Sequence, residues 1–358
     1  MTVYIVDLEA VETRYTAQWK QYLPEQLKAS GFDVEVISGG DVPQATTPGA
    51  FLNFAGTNSY KSQQLLKIAD MFAAGTVKAG DYFLYTDAWN PTVIQLKYMS
   101  QLLQIPVKIG GLWHAGSYDP QDFLGRLIGN APWVRSAEHS MFSCYDHNFF
   151  ATKFHVDMFA EEFYDWIGDE LMEANSSVQI VGWPMEYLKD ILAPYAGTKK
   201  KQKIIFPHRL APEKQVEIFK DLAKEMPEYE WFVAQEHNLT KEQYHRHLAE
   251  SKIAFSANLQ ETLGISMFEA ALVGTYPLMP NRLSYREMWT DGNLYNSEWT
   301  KNWNSYVKNK HILIDVIRQT LNNSDELLAD AAKESAEFAN TYFNGSKLYE
   351  TIRNSISA

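Results

Sequence analysis

The 358-residue chain is constrained most by residues 253–280, which begin and end with short apolar runs. Between the runs lies a small, polar loop. From Gly264 a segment follows whose apolar side chains recur at helical spacing, namely Ile265, Phe268, Leu272 and Val273. Gly274 is placed to end that helix. The stretch therefore predicts strand, loop, helix and strand, with Glu261 in the loop and Glu269 on the helix.

The junction between this loop and the helix suits a ligand that has both a phosphate and sugar hydroxyl groups. Unpaired N–H groups and the positive end of the helix dipole favour phosphate there. Two carboxylates would repel a phosphate unless they hold hydroxyl groups. Glu269 is placed to accept hydrogen bonds from a ribose, and Glu261 to do the same for a hexose or to balance a cation. The alternative is that both are solvated charges, as most glutamates are.

Two motifs carry a family resemblance. One is the pair of glutamates with seven residues between them, of which the second opens the run Glu-Ala-Ala-Leu-Val-Gly-Thr-Tyr-Pro. The other is Ile-Ile-Phe-Pro-His-Arg-Leu-Ala-Pro-Glu-Lys at residues 204–214. Together they resemble the donor site of retaining GT-B glycosyltransferases, most closely glycosyltransferase family 4. In that family an arginine and a lysine five residues apart hold the nucleotide diphosphate, which implies Arg209 and Lys214 here.

The resemblance implies an α/β chain with the GT-B fold, in which two Rossmann-like domains face each other across a cleft. Residues 1–190 are expected to form the acceptor-side domain and residues 203–339 the nucleotide-sugar donor domain. A C-terminal helix within 340–358 is expected to cross back to the first domain. The length suits two domains, and the polar residues 195–203 are the expected linker. A dinucleotide-binding enzyme is disfavoured because the first βαβ unit lacks G-x-G-x-x-G.

The resemblance also assigns the donor-side residues. The implied donor-binding set is Arg209, Lys214, Glu261, Thr262, Leu263, Gly264 and Glu269, and the implied catalytic set is His114, Glu261, Arg209 and Lys214. In the family a histidine of the N-terminal domain faces the donor sugar, and His114 matches it because it follows a predicted strand and two glycines. The alternative is a structural histidine, which is the commoner role of a lone one.

No cofactor or metal is predicted. The chain has no D-x-D motif that would bridge a diphosphate through a divalent ion, and His139, His147 and His155 are too widely spaced for a compact ligand set. The nucleotide sugar, expected to be UDP-linked, acts as a co-substrate. The family retains the anomeric configuration without placing a nucleophile from the enzyme, and none is evident in this sequence either.

The acceptor side depends on a second resemblance. The runs Ile-Val-Asp-Leu-Glu, Thr-Arg-Tyr-Thr and Trp-His-Ala-Gly-Ser-Tyr of the N-terminal half look like glycosyltransferases of T-even-type tailed phages, which modify 5-hydroxymethylcytosine in DNA. The implied partner is double-stranded DNA whose target base leaves the stack. Lysines of residues 199–203 or arginines of the first loop would meet phosphates. The acceptor-side residues expected are Glu12, Arg14, Tyr15, Asp87, Trp113 and Asp119.

Composition bounds these expectations. A net charge of −12 argues against a protein that coats nucleic acid and counts modestly against DNA as the acceptor. The single Cys144 excludes an intramolecular disulfide and fits a reducing cytoplasm. The N-terminal residues predict a strand rather than a signal peptide, and no apolar run approaches the ~20 residues that span a bilayer. We expect a cytoplasmic protein without a membrane span, in the host cytoplasm if it is phage-encoded.

Other functions stay open. The acceptor of a hexosyl- or pentosyltransferase of this type is alternatively a glycan, a lipid or a small molecule. The remaining alternatives are a hydrolase or epimerase of sugar phosphates or nucleotide sugars, and a non-catalytic nucleotide-sugar-binding protein. Local patterns also predict a strand at 51–54, helical packing at 148–153, a solvated cluster of lysines at 199–203 and a surface position for His245.

Overall fold

The computed structural model describes residues 1–10, 15–43, 45–47, 52–167 and 177–357. The fold is α/β with two parallel sheets, as the sequence predicts. The chain divides into two compact units. The first comprises Met1–Met185 with Asn344–Ala358, and the second comprises Glu186–Phe343. No helix in the described part of the chain is both long enough and apolar enough to cross a membrane.

The first unit is built on a six-stranded sheet of order β2-β1-β3-β4-β5-β6, in which every pairing is parallel. The strands are β1 Thr2–Val6, β2 Asp33–Ile37, β3 Tyr82–Tyr85, β4 Lys108–Leu112, β5 His147–Phe150 and β6 Val178–Ile180. The helices are Tyr15–Ala29, Phe54–Ala73, Thr92–Leu102, Phe123–Ile128, Pro132–Cys144, Lys153–Ile167 and Ser346–Ser357. The central strands are buried along their length because parallel sheets are covered by helices on both faces.

The second unit has a five-stranded parallel sheet of order β11-β10-β9-β7-β8. Its strands are β7 Lys203–Phe206, β8 Glu230–Val233, β9 Ile253–Phe255, β10 Tyr276–Pro280 and β11 Leu294–Tyr295. Its α-helices are Tyr187–Leu192, Val216–Glu225, Lys241–Glu250, Ile265–Leu272, Tyr285–Met288, Trp303–Leu321 and Asp325–Ala339. Single 3-10 turns lie at Ala193–Tyr195, Pro212–Lys214, Ala234–Glu236, Asp291–Asn293, Ser297–Thr300 and Asn340–Phe343.

The C-terminal helix Ser346–Ser357 belongs to the first unit, although residues 186–343, which form the second unit, precede it in the chain. Arg353 attaches it there by donating from Nη2 to the carbonyl of Ser30 at 2.8 Å. The same guanidinium lies over the ring of Phe32, 5.3 Å from its centroid. The contacts join the helix to the turn that precedes β2.

Four local predictions were wrong. No strand forms at 52–54, because Asn53 caps the helix that begins at Phe54 by accepting from the backbone N–H of Gly56; Phe51 lies outside the described residues. Residues 148–150 belong to β5 rather than to a helix. The lysines at 199–203 are not uniformly solvated, because Lys203 is fully buried as the first residue of β7. His245 is buried as well.

Candidate functional site

Two loops of the second unit meet at the carboxyl edge of its sheet, where ligands of open α/β sheets bind. One follows β7 and the other follows β9. The backbone N–H of Leu259 donates to the carbonyl of Glu213 at 2.8 Å, and Gln215 donates from Nε2 to the carbonyl of Ala257 at 2.6 Å. The motifs at 204–214 and 253–280 therefore form one structural site.

Lys214 contacts the second loop directly. Its Nζ donates to the carbonyl oxygen of Gln260 at 2.5 Å and lies 3.4 Å from Oε2 of Glu261. The lysine side chain is 7% exposed and that of the glutamate 19%, so the ion pair is largely shielded from water. Two of the predicted donor-site residues are thus in contact, at a place where a charge interaction is stronger than at the surface.

The carboxylate of Glu261 is held in its charged form. Burial alone would raise its pKa, but Lys214, His208 and the backbone N–H of Gly264 together lower the pKa below its ordinary value. The N–H of Gly264, which the sequence assigns to a phosphate, therefore faces a carboxylate. Its neighbours Thr262 and Leu263 are buried in the same loop.

Gly264 shapes the start of the helix that follows. Its φ is +79°, a left-handed conformation that favours glycine. A Cβ built on it would lie 2.8 Å from Cε1 of Tyr285. Helix Ile265–Leu272 begins immediately after it, which leaves the first N–H groups of the helix at the loop.

Arg209 lies on the first loop with its guanidinium beside a buried acid. Its Nη2 donates to Oε1 of Glu213 at 2.5 Å, while one third of the arginine side chain stays exposed. The acid therefore fixes the orientation of one edge of the guanidinium, and part of the arginine side chain faces solvent.

A polar network beside Lys214 was not predicted. Asn258 is fully buried, and its Nδ2 lies 3.1 Å from Oε2 of Glu261, 3.1 Å from the hydroxyl of Tyr285 and 3.4 Å from Nδ1 of His208. Burial and the charge of Lys214 lower the pKa of His208 to about 3, so its imidazole is neutral near pH 7. His208 and Asn258 lie within the two motifs. Each is a polar residue that follows a buried strand closely, and this was the sequence signal that could have identified them.

Glu269 occupies a separate place on the helix. It is almost fully buried, and its Oε2 accepts from the hydroxyl of Tyr244 at 3.1 Å. Nε2 of His245 lies 3.9 Å from its Oε1, and burial lowers the pKa of His245 despite the nearby carboxylate. Tyr244 was not predicted, because its contact with Glu269 joins two helices far apart in sequence.

In the first unit, His114 is engaged through both ring nitrogens. Nε2 lies 2.6 Å from the carbonyl oxygen of Thr86, which can only accept, so Nε2 carries the proton. In the neutral ring, Nδ1 therefore accepts from the hydroxyl of Tyr15 at 2.6 Å. The rings of Trp19 and Trp183 pack around this pair, and the ring centroid of Trp183 lies 4.6 Å from that of His114. Neither tryptophan was predicted at the site.

The remaining acceptor-side residues have different surroundings. Asp87 accepts from the backbone N–H of Trp89 at 3.0 Å and lies 3.7 Å from Nζ of Lys61. Asp119 is buried, and its Oδ1 accepts from the N–H of Gln121. Trp113 is fully buried in the core, which corrects its expected contact with an acceptor. Glu12 and Arg14 lie outside the described residues.

No cluster of metal-ligating side chains is found among the residues described. Two of the lysines at 199–203 make hydrogen bonds or ion pairs within the second unit. Nζ of Lys200 donates to the carbonyls of Ala249 and Val273 at 2.7 and 2.9 Å, and Nζ of Lys203 lies 3.1 Å from Oε1 of Glu230. These two ammonium groups are therefore already engaged by protein acceptors.

No protein-family model matches the chain. Sixty of its residues, 17% of its length, are 40% identical to tRNA-queuosine alpha-mannosyltransferase of Drosophila melanogaster, of whose length the match spans 16%. Sucrose-phosphate synthase from Thermosynechococcus elongatus is similar at a TM-score of 0.60 and 12% identity, with 100% of this chain and 97% of that chain covered. The catalytic domain of starch synthase IV from Arabidopsis thaliana, bound to ADP and acarbose, has a TM-score of 0.61, 11% identity and coverage of 100% and 99%.

These solved structures are GT-B glycosyltransferases, and they match the chain over essentially its whole length. At this level of identity the similarity establishes the fold. It agrees with the two parallel sheets and with the fold class that the sequence predicts. The choice of donor and acceptor depends on side chains rather than on the fold.

Proposed function

We propose that the protein is a retaining glycosyltransferase that moves a sugar from a nucleotide-sugar donor to an acceptor hydroxyl. The observation that carries the proposal is the contact of Lys214 with Glu261 on two loops at the sheet edge, where Arg209 also lies and the helix bearing Glu269 begins. A diphosphate is stabilised by cations, and sugar hydroxyl groups by hydrogen-bond acceptors. The lysine and arginine provide the cations, and the two glutamates provide the hydrogen-bond acceptors.

In the proposed reaction the bond between the anomeric carbon and the diphosphate oxygen breaks, and a bond to the acceptor oxygen forms on the same face of the sugar. The proton of the acceptor hydroxyl passes to the leaving diphosphate oxygen. Negative charge develops on the leaving diphosphate. Arg209, Lys214 and the N-terminal N–H groups of helix Ile265–Leu272 stabilise that charge electrostatically. Glu261 orients the sugar, and Glu269 orients the ribose. We propose a UDP-linked sugar as the donor and no essential divalent ion.

The leading acceptor is the hydroxymethyl group of 5-hydroxymethylcytosine in phage DNA. Its support is the likeness of the N-terminal half to the enzymes of tailed phages, and we assign Tyr15 to the acceptor side on that basis. A second acceptor is a hydroxyl of a modified tRNA nucleoside, which the 60-residue match to a tRNA-queuosine mannosyltransferase favours. Both acceptors are modified nucleosides of a nucleic acid.

The acceptor is tested by offering UDP- and GDP-linked hexoses with four nucleic acids: DNA with hydroxymethylcytosine, the same duplex with cytosine, tRNA containing queuosine, and unmodified tRNA. Mass spectrometry of the digested nucleosides detects a transferred hexose. Transfer only to hydroxymethylated DNA supports the leading acceptor, and transfer only to queuosine supports the second. Absence of transfer to all four refutes both proposed acceptors.

The catalytic assignment is tested separately. NMR of the product gives the anomeric configuration, and an inverted linkage contradicts the retaining mechanism. Release of the free sugar without an acceptor, at the rate of nucleotide release, instead identifies a hydrolase. Tight binding of nucleotide sugars without turnover on glycan, lipid or nucleic-acid acceptors identifies a binding protein.

A further inference from the structure

The carboxylate of Glu269 is held asymmetrically. Its Oε2 accepts from the phenol of Tyr244 at 3.1 Å. Its Oε1 has His245 Nε2 at 3.9 Å, which is too far for a hydrogen bond, and no other donor contacts Oε1 among the residues that the structure describes. One lone pair of Oε2 is therefore taken by Tyr244, whereas both lone pairs of Oε1 are available.

The two helices that bring Tyr244 and Glu269 together are joined at their C-terminal ends. Lys200 donates from Nζ to the carbonyls of Ala249 at 2.7 Å and Val273 at 2.9 Å, and these residues lie at the ends of helices Lys241–Glu250 and Ile265–Leu272. The Lys200 side chain thus gives hydrogen-bond partners to carbonyls at the C-terminal ends of both helices.

The start of helix Lys241–Glu250 is also fixed. Thr240 and Gln243 form a capping box, in which the Gln243 N–H donates to Oγ1 of Thr240 at 3.2 Å and the Thr240 N–H donates to Oε1 of Gln243 at 2.9 Å. Tyr244 follows the box directly. Its phenol is consequently presented to Glu269 from a helix that is anchored at both ends.

We propose that Tyr244 is a positioning residue for the nucleotide, which turns Glu269 so that Oε1 alone receives a single ribose hydroxyl. The inference rests on the proposed function, in which Glu269 holds the ribose, and adds how that contact is limited to one hydroxyl. Burial and the charge of Glu269 raise the pKa of Tyr244, so the phenol stays a proton donor at working pH. Without this donor, the carboxylate would lose its preferred orientation and one hydrogen bond.

The test measures binding of UDP, 2′-deoxy-UDP and 3′-deoxy-UDP by calorimetry. In the native protein one of the two analogues should bind at least about tenfold more weakly than UDP, because a carboxylate left without its hydroxyl partner is costly. In Tyr244→Phe, the affinity for UDP should fall about tenfold, while the affinity for the weaker-binding analogue should change little. The ratio of the two affinities should then fall towards one.

Tyr276→Phe is the matched control, since its hydroxyl donates to the carbonyl of Gly292 in the same unit and not to Glu269. It should leave the ratio as in the native protein. If Tyr244 had only a general structural role, Tyr244→Phe would weaken the binding of UDP and of the analogue equally. An unchanged ratio of the two affinities in Tyr244→Phe therefore overturns the inference. Equal losses for both deoxy analogues in the native protein overturn it too, because they indicate two hydroxyl contacts.

The inference and the proposed function fail in different ways. If Glu269→Gln lowers UDP affinity and Tyr244→Phe does not change the ratio, the nucleotide site stands and the positioning role is wrong. If native protein binds neither UDP nor the ADP and GDP equivalents at millimolar concentration, the proposed function is wrong, and the inference fails with it.

Discussion

Nζ of Lys214 lies 3.4 Å from Oε2 of Glu261, across two loops that are 47 residues apart in the sequence. The same nitrogen donates to the carbonyl of Gln260, so the lysine is held against the loop that precedes helix Ile265–Leu272. A diphosphate arriving at this edge would meet an ammonium group whose position is already set. Binding then requires little reorganisation of the side chain.

Lys214→Met should weaken UDP binding by about 10- to 100-fold, because a largely buried charge-assisted contact is lost and Glu261 is left without its cation. Calorimetry measures the loss. Lys220→Met is the control, since Lys220 pairs with Glu236 with both side chains substantially exposed, and it should bind UDP as the native protein does. Affinity within twofold of native in Lys214→Met would exclude the lysine from the donor site.

Arg209→Ala should abolish measurable donor binding, since one third of this cationic side chain is exposed at the proposed donor site. It should also lower the free energy of unfolding, because Glu213 is fully buried beside it. Urea denaturation separates the two effects. Arg318→Ala removes a surface ion pair with Glu228 and should change neither quantity. A folded Arg209→Ala protein with native affinity for UDP contradicts the assigned donor site.

Gly264→Ala should destabilise the protein by about 1 to 3 kcal/mol and weaken UDP binding, because the position has a positive φ and no room for a Cβ beside Tyr285. Gly197→Ala is the matched control: its φ is +78° and nothing lies within 4 Å of the added Cβ. It should show the cost of the backbone conformation alone and bind UDP normally. Equal losses in the two variants would show that the contact with Tyr285 has no effect.

Stability should fall as the pH is lowered from about 6.5 towards 3, partly through His155. Burial lowers the pKa of this histidine from 6.5 to about 3, so between those values the unfolded chain binds a proton that the folded chain does not. His155→Gln should be less stable at pH 7.5 but lose less stability between pH 7.5 and 5, measured by urea denaturation. His311→Gln changes an exposed residue and should keep the native slope. A native slope in His155→Gln contradicts the prediction.

Much of the fold followed from local patterns. The apolar run at 253–255 is β9, and the helical spacing after Gly264 gives helix Ile265–Leu272, with Gly274 just beyond its end at φ +73°. One prediction failed because tertiary contacts overrode the local pattern. Lys203 is fully buried in β7 because it meets Glu230 and the ring nitrogen of His247.

The sequence by itself determined most of the strands, the helix after Gly264 and the residue types of the two motifs, because hydrophobic periodicity and glycine conformations act over short distances. Only the tertiary structure decided that Lys214 contacts Glu261, that Asn258 and His208 lie beside them, that Trp113 is core and that Tyr244 holds one oxygen of Glu269. These contacts join residues from different loops, strands and helices. Sheet order and helix packing set their distances, and no local pattern in the chain encodes them.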